Sequence, residues 1–212
     1  MTYVLDLDGT LIDSTARHYL LMEKIIADYR QRMQELADAL GAYNSEEYMA
    51  YKLGGHSGAA YLTEILGLDA DVAGELTKQW VSEIELPEYM DTDVLYDDTF
   101  PYLAELQSAG HDIIFLTSRA NENETFRELD RLGIRRYAEE CVIVNPGIRD
   151  AKLEFVKTLV EKGDKPVIVG DMETEYYIAA RLGLPFYIVN RGFRSKKYLD
   201  SLGIMSHNEL RL

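Results

Sequence analysis

The sequence predicts an α/β protein, a doubly wound parallel sheet interrupted by an inserted all-helical module. Three observations predict it: five short apolar runs rich in β-branched residues, helical periodicity between the last four, and a long stretch, 14–97, of helical stripes without a convincing strand run.

The strand candidates are residues 3–7, 112–116, 141–144, 166–169 and 186–189. Their continuous apolar character suits strands covered on both faces, as parallel strands are. Between them, residues 101–109, 124–132, 153–160 and 176–182 carry helical spacing. Gly110, Gly133, Gly163 and Gly183 follow these runs where a left-handed cap favours glycine, and Pro101 suits a first turn. Ligands are then expected at the carboxyl ends of the strands.

The domain reading follows: residues 1–13 and 98–212 form a Rossmann-like core, and 14–97 an inserted helical cap. In the insertion Tyr19, Met22, Ile26, Tyr29 and Met33 recur at helical spacing, continued by Leu36 and Leu40. This stripe reads as helix-packing core. Gly41, the Gly54-Gly55 pair and Gly67 divide the segment into several helices.

Composition narrows the function. With 47% hydrophobic and 28% charged residues the chain is of ordinary globular type, and its net charge of −15 opposes a broad grip on nucleic acid. An acidic surface also repels a phosphorylated substrate, so a site for one needs local positive charge. Cys141 is the single cysteine and reads as a buried strand residue in a reducing compartment. No run of 18 apolar residues occurs and residues 1–6 carry no basic start, so a cytoplasmic protein without membrane contact is expected.

The chemistry-bearing residues lie at strand exits. Asp6-Leu7-Asp8-Gly9-Thr10-Leu11 follows the first strand, and Asp171 follows the run 167–170. Asp and Gly there also suit a plain turn, but three acids at one sheet edge need a cation.

In order along the chain, Asp6-Leu7-Asp8-Gly9-Thr10, Thr117 after 113–116, Lys152, and Gly170-Asp171-Met172-Glu173-Thr174-Glu175 resemble the four motifs of the haloacid dehalogenase superfamily. Gly192-Phe193-Arg194-Ser195 and Glu209-Leu210 look like its tail, and the helical insertion resembles the mobile cap of its phosphoglycolate phosphatase-like branch. The resemblance implies a Mg²⁺-dependent phosphatase acting on a small phosphorylated metabolite. Asp6 would be the nucleophile and a metal ligand, and Asp8 the acid and then base, giving its backbone carbonyl to the metal. Asp171 would complete the protein ligands. Thr117 and Lys152 would neutralise the phosphoryl oxygens, with Gly9, Thr10, Ser118 and Arg119 lining the phosphoryl group.

Several readings stay open. Thr117 beside Ser118 is compatible with a helix N-cap, and Lys152 with a solvated helix residue; Lys157 is too far along the same helix. Glu175 stands where the family more often has Asp, so it reaches toward the metal, its waters or Lys152, and Glu173 is a partial substitute. Thr10 fixes the backbone through its hydroxyl, or serves only in a turn. In the cap, Lys52-Leu53-Gly54-Gly55-His56-Ser57 offers Lys52 and His56 as specificity contacts, or is simply a C-cap followed by an N-cap. His18, His111 and His207 lack metal-ligand spacing.

The second acid, Asp8, disfavours dehalogenation and phosphonate cleavage, although the latter would use a cap lysine such as Lys52. A sugar phosphomutase uses the same motifs, and a phosphate-binding protein without turnover would keep the fold. A monomer or homodimer fits either.

Overall fold

The computed structural model of the chain describes residues 1–33 and 41–212. Five strands, β1 (Thr2–Leu5), β4 (Asp112–Ser118), β5 (Glu140–Val144), β6 (Val167–Gly170) and β7 (Phe186–Ile188), form one sheet. Its order is β5-β4-β1-β6-β7 and every pairing is parallel. The first strand therefore lies at the centre. The order reverses beside it, which is where doubly wound sheets open a crevice at their carboxyl edge.

Alternate residues feed the two faces, as the period of a strand requires. Leu5, Ile113, Phe115 and Val169 pack into one core with Tyr102, Leu103 and Leu106 of α6 (Thr99–Ser108) and Leu129 of α7 (Glu122–Arg131). Val4, Ile114, Leu116 and Ile168 pack into a second with Leu153 and Val156 of α8 (Ala151–Glu161) and Ile178 and Ala179 of α9 (Glu173–Leu182). Each of these helices ends before a glycine with φ between 66° and 93°, at Gly110, Gly133, Gly163 and Gly183. The chain continues past β7 into a short helix, α10 (Lys196–Ser201).

Two compact units result: Met1–Asp13 with Val94–Leu212, and Ser14–Asp93. The second boundary falls after Asp93 rather than after residue 97. A strand the sequence did not disclose explains it: β3 (Val94–Leu95) pairs antiparallel with β2 (Ile12–Asp13). Strands of two residues have no periodicity to read.

The second unit is helical among its described residues, with α1 (Thr15–Arg32), α2 (Ser45–Leu53), α3 (Gly58–Ala60) running into a π-turn at Tyr61–Ile65, α4 (Ala70–Glu83) and α5 (Pro87–Met90). It owns a separate core in which Leu21, Met22, Ile25 and Ile26 of α1 meet Tyr48, Tyr61, Leu62 and Leu76. The α1 stripe thus includes Met22 and Ile26, with Tyr19 and Tyr29 packed against the core, as expected, and is widened by Leu21 and Ile25, while Met33 lies beyond the helix, 38% exposed. Leu36 and Leu40 lie outside the described residues. Cys141 is half-buried rather than buried, because β5 is an edge strand.

Candidate active site

Asp6 is the first residue beyond β1, and its N–H still donates to the Val169 carbonyl at 2.9 Å, so the sheet fixes its backbone. The Leu7 carbonyl then accepts N–H groups from Thr10, Leu11 and Ile12 at 2.9–3.1 Å, turning the chain back on itself. Gly9 sits in this turn at φ 78°, and a Cβ there would collide with the Asp171 carboxylate. Gly192, at φ 70°, would collide with the Gly9 backbone. Glycine is demanded at both positions by sterics.

Asp171 follows β6 and Glu175 lies in the first turn of α9, so two adjacent strand exits bring their acids to Asp6. Ligand oxygens of Asp6, Asp171 and Glu175 all lie within 4.8 Å of one another, and all three residues are buried. Lys152, in the first turn of α8, donates to Asp6 Oδ1 at 2.7 Å and to Glu175 Oε1 at 2.8 Å. Asp171 Oδ2 accepts from the Phe193 N–H at 2.9 Å. Asp171 Oδ1 and Glu175 Oε2 are buried with no hydrogen-bond partner.

The electrostatics follow from burial. Burial pushes the Asp6 carboxyl up to about 7, with Lys152 opposing and Glu175 and Asp8 adding. Burial likewise raises Asp171 well above the carboxylate range, helped by Asp6 and Glu175. For Lys152, burial alone would lower the ammonium's pKa, but Asp6 and Glu175 outweigh it and hold it above its ordinary value. Three buried carboxylates around one ammonium leave excess negative charge. Two orphaned oxygens and an all-oxygen donor set fit a hard divalent cation.

Asp8 does not join this group. Its carboxylate takes a two-pronged bond from Arg119, Nε to Oδ2 at 2.9 Å and Nη2 to Oδ1 at 2.8 Å. Arg119 also donates from Nη1 to Oε2 of Glu128 at 2.6 Å, and Glu128 is fully buried on α7. Burial would lower the guanidinium's pKa, but Asp8 and Glu128 raise it above its ordinary value. Arg119, expected to line the phosphoryl group, is instead spent on these two acids. Glu128 was not among the expected site residues; it lies on the buried face of α7 with Thr125 and Leu129.

The remaining candidates sort by position. Thr117 is buried near the end of β4 and caps nothing; the N-cap of α7 is Asn121, which accepts from the Glu124 N–H. Ser118 is exposed and borders a cavity of about 500 Å³ that it shares with Asp6, Lys152 and Glu175. Lys152 is ion-paired and largely buried, not a solvated helix residue, whereas Lys157 pairs with Glu154 on the exposed side of α8. Glu173 is taken by Arg194, at 2.7 and 3.0 Å, and does not substitute for Glu175. The Thr10 hydroxyl is buried without a partner; its carbonyl is the anchored group, accepting from Arg191 at 2.6 Å. Arg191 in turn binds Asp98 and lies 4.0 Å from the Tyr96 ring centroid.

In the helical unit Lys52 is not on a loop. It lies in α2, buried, with Nζ 2.6 Å from His18 Nδ1 and the Tyr48 and Trp80 rings at 5.6 and 5.5 Å. His18 is therefore a structural partner rather than an incidental residue. His56 is exposed and stacks on Tyr51, with centroids 4.1 Å apart. Gly54 caps α2 and Ser57 caps α3 through its side chain, so the segment serves as a C-cap and N-cap in succession.

A family model described as a haloacid dehalogenase-like hydrolase matches residues 1–183. The chain belongs to this family. The hydrolase shares its fold with a predicted phosphatase from Clostridium acetobutylicum, at 18% identity over 96% of this chain and 90% of that one, TM-score 0.69. It is similarly close to a predicted phosphoglycolate phosphatase from Haemophilus somnus, at 17% identity over 92% and 87%, TM-score 0.65. A Thermotoga maritima protein bearing the name β-phosphoglucomutase aligns at 14% identity over 98% and 94%, TM-score 0.62. No curated protein is matched. Among the described residues of the hydrolase no helix is long and apolar enough to cross a membrane.

Proposed function

We propose that the hydrolase is a Mg²⁺-dependent phosphatase of small phosphorylated metabolites, working through a phosphorylated Asp6. The observation that carries this reading is the Asp6 carboxylate, fixed at a strand exit beside Lys152 and two acids with orphaned oxygens, and open to a cavity. Asp6, Asp171 and Glu175 would hold the cation, with the Asp8 carbonyl as a further oxygen. When bound, the cation supplies the positive charge that lets a carboxylate approach an anionic phosphoryl group.

The chain's own residues do the rest. Asp6 attacks phosphorus, the bond to the leaving oxygen breaks, and Asp8 delivers a proton to that oxygen. A water then attacks the phosphorus of the aspartyl-phosphate, Asp8 takes its proton, and inorganic phosphate leaves as the Asp6 carboxylate is restored. Lys152 stabilises charge on the transferring group, and Thr117 would donate from its hydroxyl. Arg119 holds Asp8 as a carboxylate, the form that takes the proton of the water, so for the first step Asp8 must leave Arg119 and carry a proton taken from solvent.

The deciding experiment measures inorganic phosphate released from a panel of phosphorylated metabolites, with Mg²⁺ and with excess chelator. Chelation is expected to abolish turnover, D6N to form no phosphoenzyme, and D8N to accumulate one visible by intact mass. Turnover undiminished in chelator, or substantial in D6N, rejects the reading. Conversion of a sugar phosphate to its isomer without net phosphate release would instead identify a phosphomutase.

A further inference from the structure

A strap, Arg191-Gly192-Phe193-Arg194, joins the end of β7 to α10 and lies against the acids of the site. Upstream it is tied to the sheet, where the Val189 N–H donates to the Gly170 carbonyl at 2.9 Å. Downstream it is tied to α10, whose N-cap Ser195 accepts from the Tyr198 N–H at 3.2 Å. In its middle Gly192 comes so close to Asp171 Oδ2 and the Gly9 backbone that no Cβ fits. The next residue donates its N–H to that same oxygen of Asp171.

The strap is held by a side chain for which the proposed reaction has no use. Arg194 is buried and spreads its guanidinium over three acceptors. Nε and Nη2 reach the two carboxylate oxygens of Glu173 at 2.7 and 3.0 Å, and Nη1 reaches the Phe193 carbonyl at 2.8 Å. Glu173 opens α9, and the first turn of that helix also carries Glu175. One guanidinium therefore couples the residue whose N–H holds Asp171 to the helical turn that presents the third acid. A planar fork with fixed donor directions suits this task, since it constrains orientation as well as distance.

We propose that Arg194, clamped on Glu173, is a positioning residue for the cation site: it fixes the strap so that the Phe193 N–H occupies Asp171 Oδ2 and leaves Oδ1 as the oxygen for the ion. The buried Asp171 Oδ1, which has no hydrogen-bond partner, is the observation that the arrangement accounts for. The inference rests on the cation assignment of the proposed function and not on its phosphoryl chemistry. Groups that orient a metal's ligands affect binding through geometry, and their loss typically weakens affinity by about 10–100-fold. A purely electrostatic role has the opposite sign. A guanidinium near a cation repels it, so removing the charge would tighten binding if its field were all that mattered.

The test is calorimetry of Mg²⁺ into the metal-free full chain, at a temperature where circular dichroism shows each variant folded. R194Q should raise the Mg²⁺ dissociation constant by about tenfold or more. R194K keeps the charge but cannot hold Glu173 and the Phe193 carbonyl in the same fork, so it should also bind less tightly, by a smaller factor. An R194Q affinity equal to or tighter than that of the unaltered protein overturns the inference, even if the variant melts lower, because a merely structural arginine would move stability alone. If R194Q does not fold, R194K decides, and an unchanged affinity there overturns the inference. Absence of Mg²⁺ binding to the unaltered protein would reject the cation assignment and this inference with it.

Discussion

At the scale of the residue, the site depends on two glycines and an excess of carboxylates. Gly192 and Gly183 both have positive φ, but a Cβ at Gly192 meets the Gly9 backbone and Asp171, whereas one at Gly183 meets nothing within 4 Å. G183A should cost only the left-handed backbone penalty, about 1–2 kcal/mol, and G192A that plus overpacking, about 2–5 kcal/mol. Urea unfolding of the two variants checks the difference; equal losses would refute the packing account. The carboxylates set the pH behaviour. Asp6 keeps its proton up to about 7 when folded without metal, while an unfolded Asp releases it near ~4. Between those values the folded state binds the extra proton, so stability of the metal-free protein falls as pH rises, and Asp171 is shifted the same way. In chelator, D171N should therefore melt higher than the unaltered protein at pH 8 by more than at pH 5. Mg²⁺ should raise the melting temperature of the unaltered protein mainly at the higher pH. A D171N advantage that is absent or independent of pH would contradict this.

At the scale of the element, helix α7 hides the least expected contribution. Its exposed face is charged, yet Glu128 points inward, fully buried against Arg119. Removing one partner of a buried pair leaves charge uncompensated, so E128A should lose about 3–5 kcal/mol, measured by denaturant unfolding. A loss below about 1 kcal/mol would mean that Asp8 alone satisfies Arg119. This pair also marks the limit of what the sequence discloses. The five main strands and four flanking helices were legible because burial on both faces forces continuous apolar runs, Asp6 and Asp171 because strand exits are positions a sequence reveals, and Lys152 only through the resemblance of the ordered motifs. Arg119 was expected to line the phosphoryl group through the resemblance, and nothing local shows that it faces Asp8 and Glu128. Lys52 looked like a loop cation because Gly54-Gly55 follows it, yet α2 runs through it to Leu53 and carries its ammonium to His18. Partners distant in sequence decide both cases.

At the scale of the whole molecule, the chain holds separate cores in its two units. Leu62 is fully buried in the core of Ser14–Asp93 and takes no part in the sheet cores. L62A should cost about 2–5 kcal/mol locally and speed amide exchange through α1, α2 and α4, while amides of β1, β4 and β6 keep their protection. Exchange accelerated equally in the sheet would show one cooperative unit instead.

The central place of β1 carries a consequence for synthesis. This strand leaves the ribosome before its neighbours β4 and β6, and Gly9 waits longer still for Gly192. A nascent chain that has emerged only to residue 185 holds all three acids and the lysine but lacks the Phe193 N–H that anchors Asp171. Such a chain has the chemistry of the site without its floor, so a cell making this protein produces the nucleophile early and arms it late.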